Sequence, residues 1–305
     1  MPLGPHRVAT RDEPWLDLIR IKARPGTKDD DGRMHSTATI PCALPPTPSL
    51  WRDVIQPKEH GSWSLALEPV ALGVCVAPSI AGLALSVAVV GGFLLRRPLK
   101  LAWRDPAPAR RARAFKTVLA GSAVASAALI GAAAMSPVPL WLWLVPPAAL
   151  GGVFLACDLS NSGRDALAEI AGSAAFACVA ALFVVVAGGS VGTTLAIGLT
   201  MLARAVPTVW LVRLVVRSKK LGLAVPLSAI VPSIVAAVLS GCGAAHGFLP
   251  PLAAVAVGIL LVRGLFYYTQ TARSFRARTI GFCELAVGIA FVATASAAWL
   301  EPPQA

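Results

Sequence analysis

The chain has 305 residues, of which 56% are hydrophobic and 14% charged, with a formal net charge of +12 and a mean hydropathy of +0.70. A soluble chain carries about a quarter of its residues as charges, so this composition excludes a soluble single-core enzyme and indicates a polytopic membrane protein. The six cysteines form no C-x-x-C pair, which sets aside a disulfide scaffold or a thiolate zinc site.

Residues 1–50 hold 7 Lys/Arg and 6 Asp/Glu together with Pro45, Pro46 and Pro48. Such a segment cannot bury enough apolar surface to fold, and it lacks the apolar region of a signal peptide. It is expected to be a disordered tail, and Met34 is an alternative start of translation. From residue 51 onward the apolar runs predict nine spans, at 62–78, 79–95, 115–135, 140–157, 167–187, 191–213, 224–243, 249–268 and 280–300. Pro78 divides the first two, while Ser136–Pro139 and Gly188–Ser190 mark short turns. The expected fold class is an all-α transmembrane bundle.

All 20 Lys/Arg after residue 50 lie in or toward the segment before the first span and the loops at 96–114, 158–166, 214–223 and 269–279. This bias places those segments in the cytoplasm, with the C-terminus outside and the chain in the bacterial inner membrane. Eight basic residues between Arg96 and Lys116, against Asp105 alone, read as a topogenic loop in contact with membrane lipid. The positive charge is thereby explained by topology, and no nucleic-acid partner is expected.

Ionisable residues inside spans cost several kcal/mol unless paired or hydrated. Four groups stand out. Lys58, Glu59 and His60 precede the first span, and Glu68 lies about 9 Å inside it, one turn beyond Ser64. Ser162 and Asp165 read as a capping box, leaving Glu169 a turn deeper in need of a cation, either Arg164 or an arginine of another helix. Arg204 lies about 13 Å deeper than Arg213, next to Pro207, and is a candidate for an anion or for pairing with Glu68 or Glu169. Glu284, following Arg276 and Arg278, has Arg263 as a candidate partner and Gly281 and Gly288 on its face. All four groups lie toward the cytoplasmic half, which points to a cavity opening there. Trp141, Trp143, Tyr267, Tyr268 and Trp299 fit interfacial belts.

The box Pro57-Lys58-Glu59-His60-Gly61-Ser62-Trp63, with Glu68-Pro69, Arg96-Arg97-Pro98, Arg204-Ala205-Val206-Pro207-Thr208, Arg213 and Arg276-x-Arg278-x-x-Gly281-x-x-Glu284, resembles the YwiC-like family of bacterial integral membrane proteins. The resemblance covers about residues 50–300 and implies no particular reaction. A more distant likeness extends to UbiA-type intramembrane prenyltransferases, which also have nine helices and a cytoplasmic cavity. The pattern Glu68-Pro69-Val70-Ala71-Leu72-Gly73 is similar to their first helix. Their two Asp-rich motifs, which hold Mg²⁺ and a prenyl diphosphate, are replaced here by Arg96–Lys100 and Arg213–Lys220. Mg²⁺ prefers hard oxygen ligands, so no cofactor is expected.

The reading that follows is an anionic amphipathic ligand, either a prenyl or lipid phosphate or a quinone precursor, held in the cytoplasmic cavity. The candidate residues are Lys58, Glu59, His60, Glu68, Arg164, Glu169, Arg204, Arg213, Arg276 and Glu284, with transferase activity left open. A small-anion transporter and a non-catalytic scaffold or assembly factor are the alternatives. No Walker loop, dinucleotide fingerprint or nucleophile elbow occurs.

Overall fold

The computed structural model describes residues 51–56, 62–269 and 277–300. The expected tail, Lys58, Glu59, His60 and Arg276 lie outside the described residues. Within them the protein is all-α. After a short π-helical turn at Trp51–Ile55 come α1 (Ser62–Val76), α2 (Ile80–Arg104), α3 (Pro108–Met135), α4 (Leu140–Leu159) and α5 (Ala166–Val186). They are followed by α6 (Val191–Leu221), α7 (Val231–Ala245), α8 (Pro251–Thr269) and α9 (Ala277–Leu300). Seven of these helices are long and apolar enough to cross a membrane. The helices α1 and α7 have 15 residues each, about 22 Å against a hydrocarbon core of about 30 Å.

Helix boundaries follow local chemistry. The Ser79 side chain caps α2 by accepting from the Gly82 N–H at 2.9 Å, directly after Pro78. Ser190 caps α6 by accepting from the Thr193 N–H at 3.1 Å. That helix ends at Gly222, whose φ of 66° is a left-handed conformation that glycine adopts without steric cost.

The segments expected as basic loops are largely helical. The expected loop at 96–114 is only the connection Asp105–Ala107, because α2 continues through Pro98 and α3 starts with Pro108 at its first turn. Pro98 removes one helical donor, and its fixed φ still suits a helix. Likewise α6 runs eight residues past Arg213 to Leu221. Charged residues on these overhanging turns are compatible with helix once they leave hydrocarbon, which an apolar-window reading cannot register. The expected span at 224–243 is shortened from its start, since Pro226 and Pro232 bracket a 3₁₀ turn at Leu227–Ala229. The capping box is absent as well. Asp165 is itself the N-cap of α5 and makes no side-chain cap bond, while its N–H donates to the Ser162 carbonyl at 2.9 Å.

Packing centres on α5, whose Ala168, Ala171, Ala174, Ala177 and Ala180 are buried. Small side chains let neighbouring backbones approach closely. It packs against α1, α4 and α6, while α9 packs against α1 and α8, and α2 pairs closely with α3. One apolar cluster joins Leu72, Ile197, Met201, Val257, Leu260 and Phe291 from α1, α6, α8 and α9. A second joins Leu85, Leu140, Leu182 and Phe183 from α2, α4 and α5.

Candidate functional site

The antiparallel order places the start of α1, the end of α2, the starts of α3 and α5, and the end of α6 at one end of the bundle, here the basic end. A cavity of about 1710 Å³ lies in this half, lined by α1, α2, α4, α5, α6 and α9.

Its floor is an ion cluster. Arg204 is buried with its side chain 3% exposed, and its Nη2 donates to Glu68 Oε1 at 3.2 Å. The same nitrogen reaches the Glu284 carbonyl at 3.4 Å. Glu284 Oε2 lies 3.9 Å from Arg204 Nη1 and 2.5 Å from Arg263 Nη1. The Thr208 hydroxyl knits the cluster together by donating to the Arg204 carbonyl at 2.6 Å while accepting from Arg204 Nη1 at 2.5 Å and from Arg263 Nη2 at 3.2 Å. A hydroxyl has one donor and two acceptor sites, so this use is complete. Ser64 Oγ donates to Glu68 Oε1 at 2.5 Å. Two carboxylates and two guanidiniums are thus balanced across α1, α6, α8 and α9, which is what makes them tolerable in a low-dielectric setting. The floor is polar and formally neutral.

The mouth of the cavity is different. Arg213 Nη1 donates to Glu169 Oε2 and to the Arg164 carbonyl, both at 2.6 Å. The two side chains of that pair are 29% and 34% exposed. The cations Arg164, Arg217 and Lys220 also line the cavity. No carboxylate pairs with them among the described residues. Positive charge is therefore in excess at the mouth.

Between mouth and floor the wall is aromatic. Trp63 and Phe93 meet edge to face with centroids 5.2 Å apart, and Phe93 and Phe176 do so at 5.9 Å. The Arg96 guanidinium sits over Phe154 at 4.7 Å. This arginine also reaches Asp158 at 3.1 Å, and Lys100 reaches the same carboxylate at 2.9 Å. The buried Asp158 thereby ties α4 to the end of α2.

The structure brings Glu68, Arg204 and Glu284 together, and separately Arg164, Glu169 and Arg213. The cations proposed from sequence for Glu68 and Glu284 are the ones observed. Sequence reasoning missed Asp158 as a partner of Arg96 and Lys100, although the basic pair sits four apart on one helical face. It also missed Thr208, the aromatic wall, and Arg217 and Lys220 as cavity residues. Among the described residues no group of three or more His, Cys, Asp or Glu is placed to hold a metal ion.

An all-α bundle whose spans enclose paired charges defines a multi-pass integral membrane protein. Residues 56–185, spanning α1 to the last turn of α5, match the family model described as YwiC-like protein, and over that stretch the chain is similar to the family. Arg204, Arg263 and Glu284 lie beyond the matched stretch. No curated protein and no solved structure matches the chain.

Proposed function

We propose that this protein binds an amphipathic anion in the cavity at its basic end, with that end facing the cytoplasm. The anionic head would sit at the mouth against Arg164, Arg217 and Lys220, and the apolar part along Trp63, Phe93, Phe154 and Phe176. One observation carries the reading: a cavity whose floor is charge-balanced, whose wall is aromatic and whose mouth holds surplus cations. An additional anion at the floor would be an uncompensated buried charge, whereas at the mouth it meets cations that no carboxylate among the described residues pairs with. The orientation follows from the basic bias of the loops and helix ends. Prenyl or lipid phosphates and quinone-precursor carboxylates fit these requirements, and the reading is one of binding, without a transfer step.

The test is binding of farnesyl phosphate and of farnesol to the full chain in nanodiscs, with mass spectrometry of lipid retained on purification. Farnesyl phosphate should bind at least about tenfold more tightly, since charge-assisted contacts to a phosphate are the strong ones. Neutralising Arg164, Arg217 and Lys220 together should reduce that preference. Equal affinity for the two probes would sink the reading.

A further inference from the structure

Resting on the proposed binding of an anionic head, we propose that Arg213 is its two-point contact and that Glu169 is the residue that aims it. The observation is how the Arg213 guanidinium is used. Both of its hydrogen bonds, to Glu169 Oε2 and to the Arg164 carbonyl, come from the single nitrogen Nη1 at 2.6 Å. Among the described residues the Nε and Nη2 edge has no partner. A guanidinium presents two parallel N–H groups along that edge, matched to two oxygens of one phosphoryl or carboxylate group. Arg213 lines the cavity together with Arg164, Arg217 and Lys220, cations that favour the same ligand.

Glu169 and the Arg164 carbonyl act from the opposite corner of the guanidinium. They fix its plane and leave the recognition edge clear, which lowers the ordering cost of binding. The acid at 169 thus has a positioning role, although its own charge opposes an anion. This opposition makes the proposal testable, because charge alone and positioning predict opposite signs.

The experiment measures farnesyl phosphate and farnesoate affinities for the full chain in nanodiscs, with thermal midpoints recorded alongside. Arg213→Lys keeps the charge and loses the fork, and should weaken the preferred probe about tenfold. Arg217→Lys, at a single-point cation, should stay within about twofold. Glu169→Gln retains an acceptor for Nη1 and should bind as well as the parent protein or better. Glu169→Ala removes that acceptor and should weaken binding, even though losing a negative charge would by itself strengthen it. The two probes separate a phosphoryl from a carboxylate head. Parent-like affinity in Arg213→Lys, or affinity in Glu169→Ala equal to or tighter than the parent, would overturn the inference while leaving anion binding intact. Absence of farnesyl phosphate binding by the parent chain overturns the proposed function and this inference with it.

Discussion

Gly288 of α9 lies directly against the Glu68 carboxylate of α1. A Cβ at that position would collide with Oε1, and it would stand 2.6 Å from Cδ and 3.2 Å from Arg204 Nη2. The carboxylate therefore occupies the volume a side chain would take, and α9 forms the back of the ion cluster.

Gly288→Ala is accordingly expected to displace Glu68 from Arg204 and lower stability by about 3–5 kcal/mol, the cost typical of a broken buried pair. Gly92→Ala on α2, where a Cβ meets nothing within 4 Å, is the matched control and should be neutral or slightly stabilising. Thermal denaturation of the two variants in the same detergent checks this, and equal midpoints would contradict the assigned contact.

Glu68→Gln and Arg204→Gln should each destabilise, because each leaves an uncompensated charge in the floor. Combining them should cost less than the sum of the singles, since the double variant leaves Glu284 paired with Arg263. A double-mutant cycle on unfolding free energies measures the coupling. Strict additivity would mean that the pair carries no interaction.

Asp158→Asn removes the acceptor shared by Arg96 and Lys100. Charge-assisted bonds of this kind contribute about 1.5–3 kcal/mol each, discounted here because both cations are partly exposed. The expected result is faster proteolysis or hydrogen exchange at the junction of α4 and α5 with little change in α8. Uniform loosening of the whole bundle would argue against a local tie.

The connection between α2 and α3 should respond to acid. Arg110 hydrogen-bonds the Asp105 carboxylate and holds its pKa below the ordinary carboxylate value, with the Ala107 N–H adding to the effect. A carboxyl with a depressed folded pKa contributes stability that is fully present above the unfolded value of about 4. That contribution is lost as pH falls through the lower folded value. Protection of the Ala107 amide should consequently decline only in the acid range below about 4. In Asp105→Asn this pH dependence should disappear, and a change centred near neutrality would point to another group.

Much of the helical layout was legible because apolar run length and the side occupied by Lys and Arg are global signals. The pairing of Glu284 with Arg263, and of Glu68 with Arg204, could be anticipated because an acid at a given depth in hydrocarbon needs a cation at a similar depth. Asp158 escaped notice for the converse reason. It lies where the apolar window ends, so neither its burial nor the continuation of α2 past Arg96 registers as hydropathy. The mouth at Arg217 and Lys220 was hidden in the same way, by reading the last turns of α6 as a loop. Thr208 carries no charge and gives no signal of its own. Its value comes from lying one turn beyond Arg204 and opposite Arg263, a relation that only packing supplies.

The sequence separation of 136 between Glu68 and Arg204 has a consequence for biogenesis. A chain made from its N-terminus delivers α1 to the bilayer while its counter-cation is still unsynthesised. With 15 residues and an acid in its second turn, α1 is a poor free-standing insertion segment. Glu68 meets its counter-cation only once α6 has been made, and the ion cluster is complete only with α8 and α9.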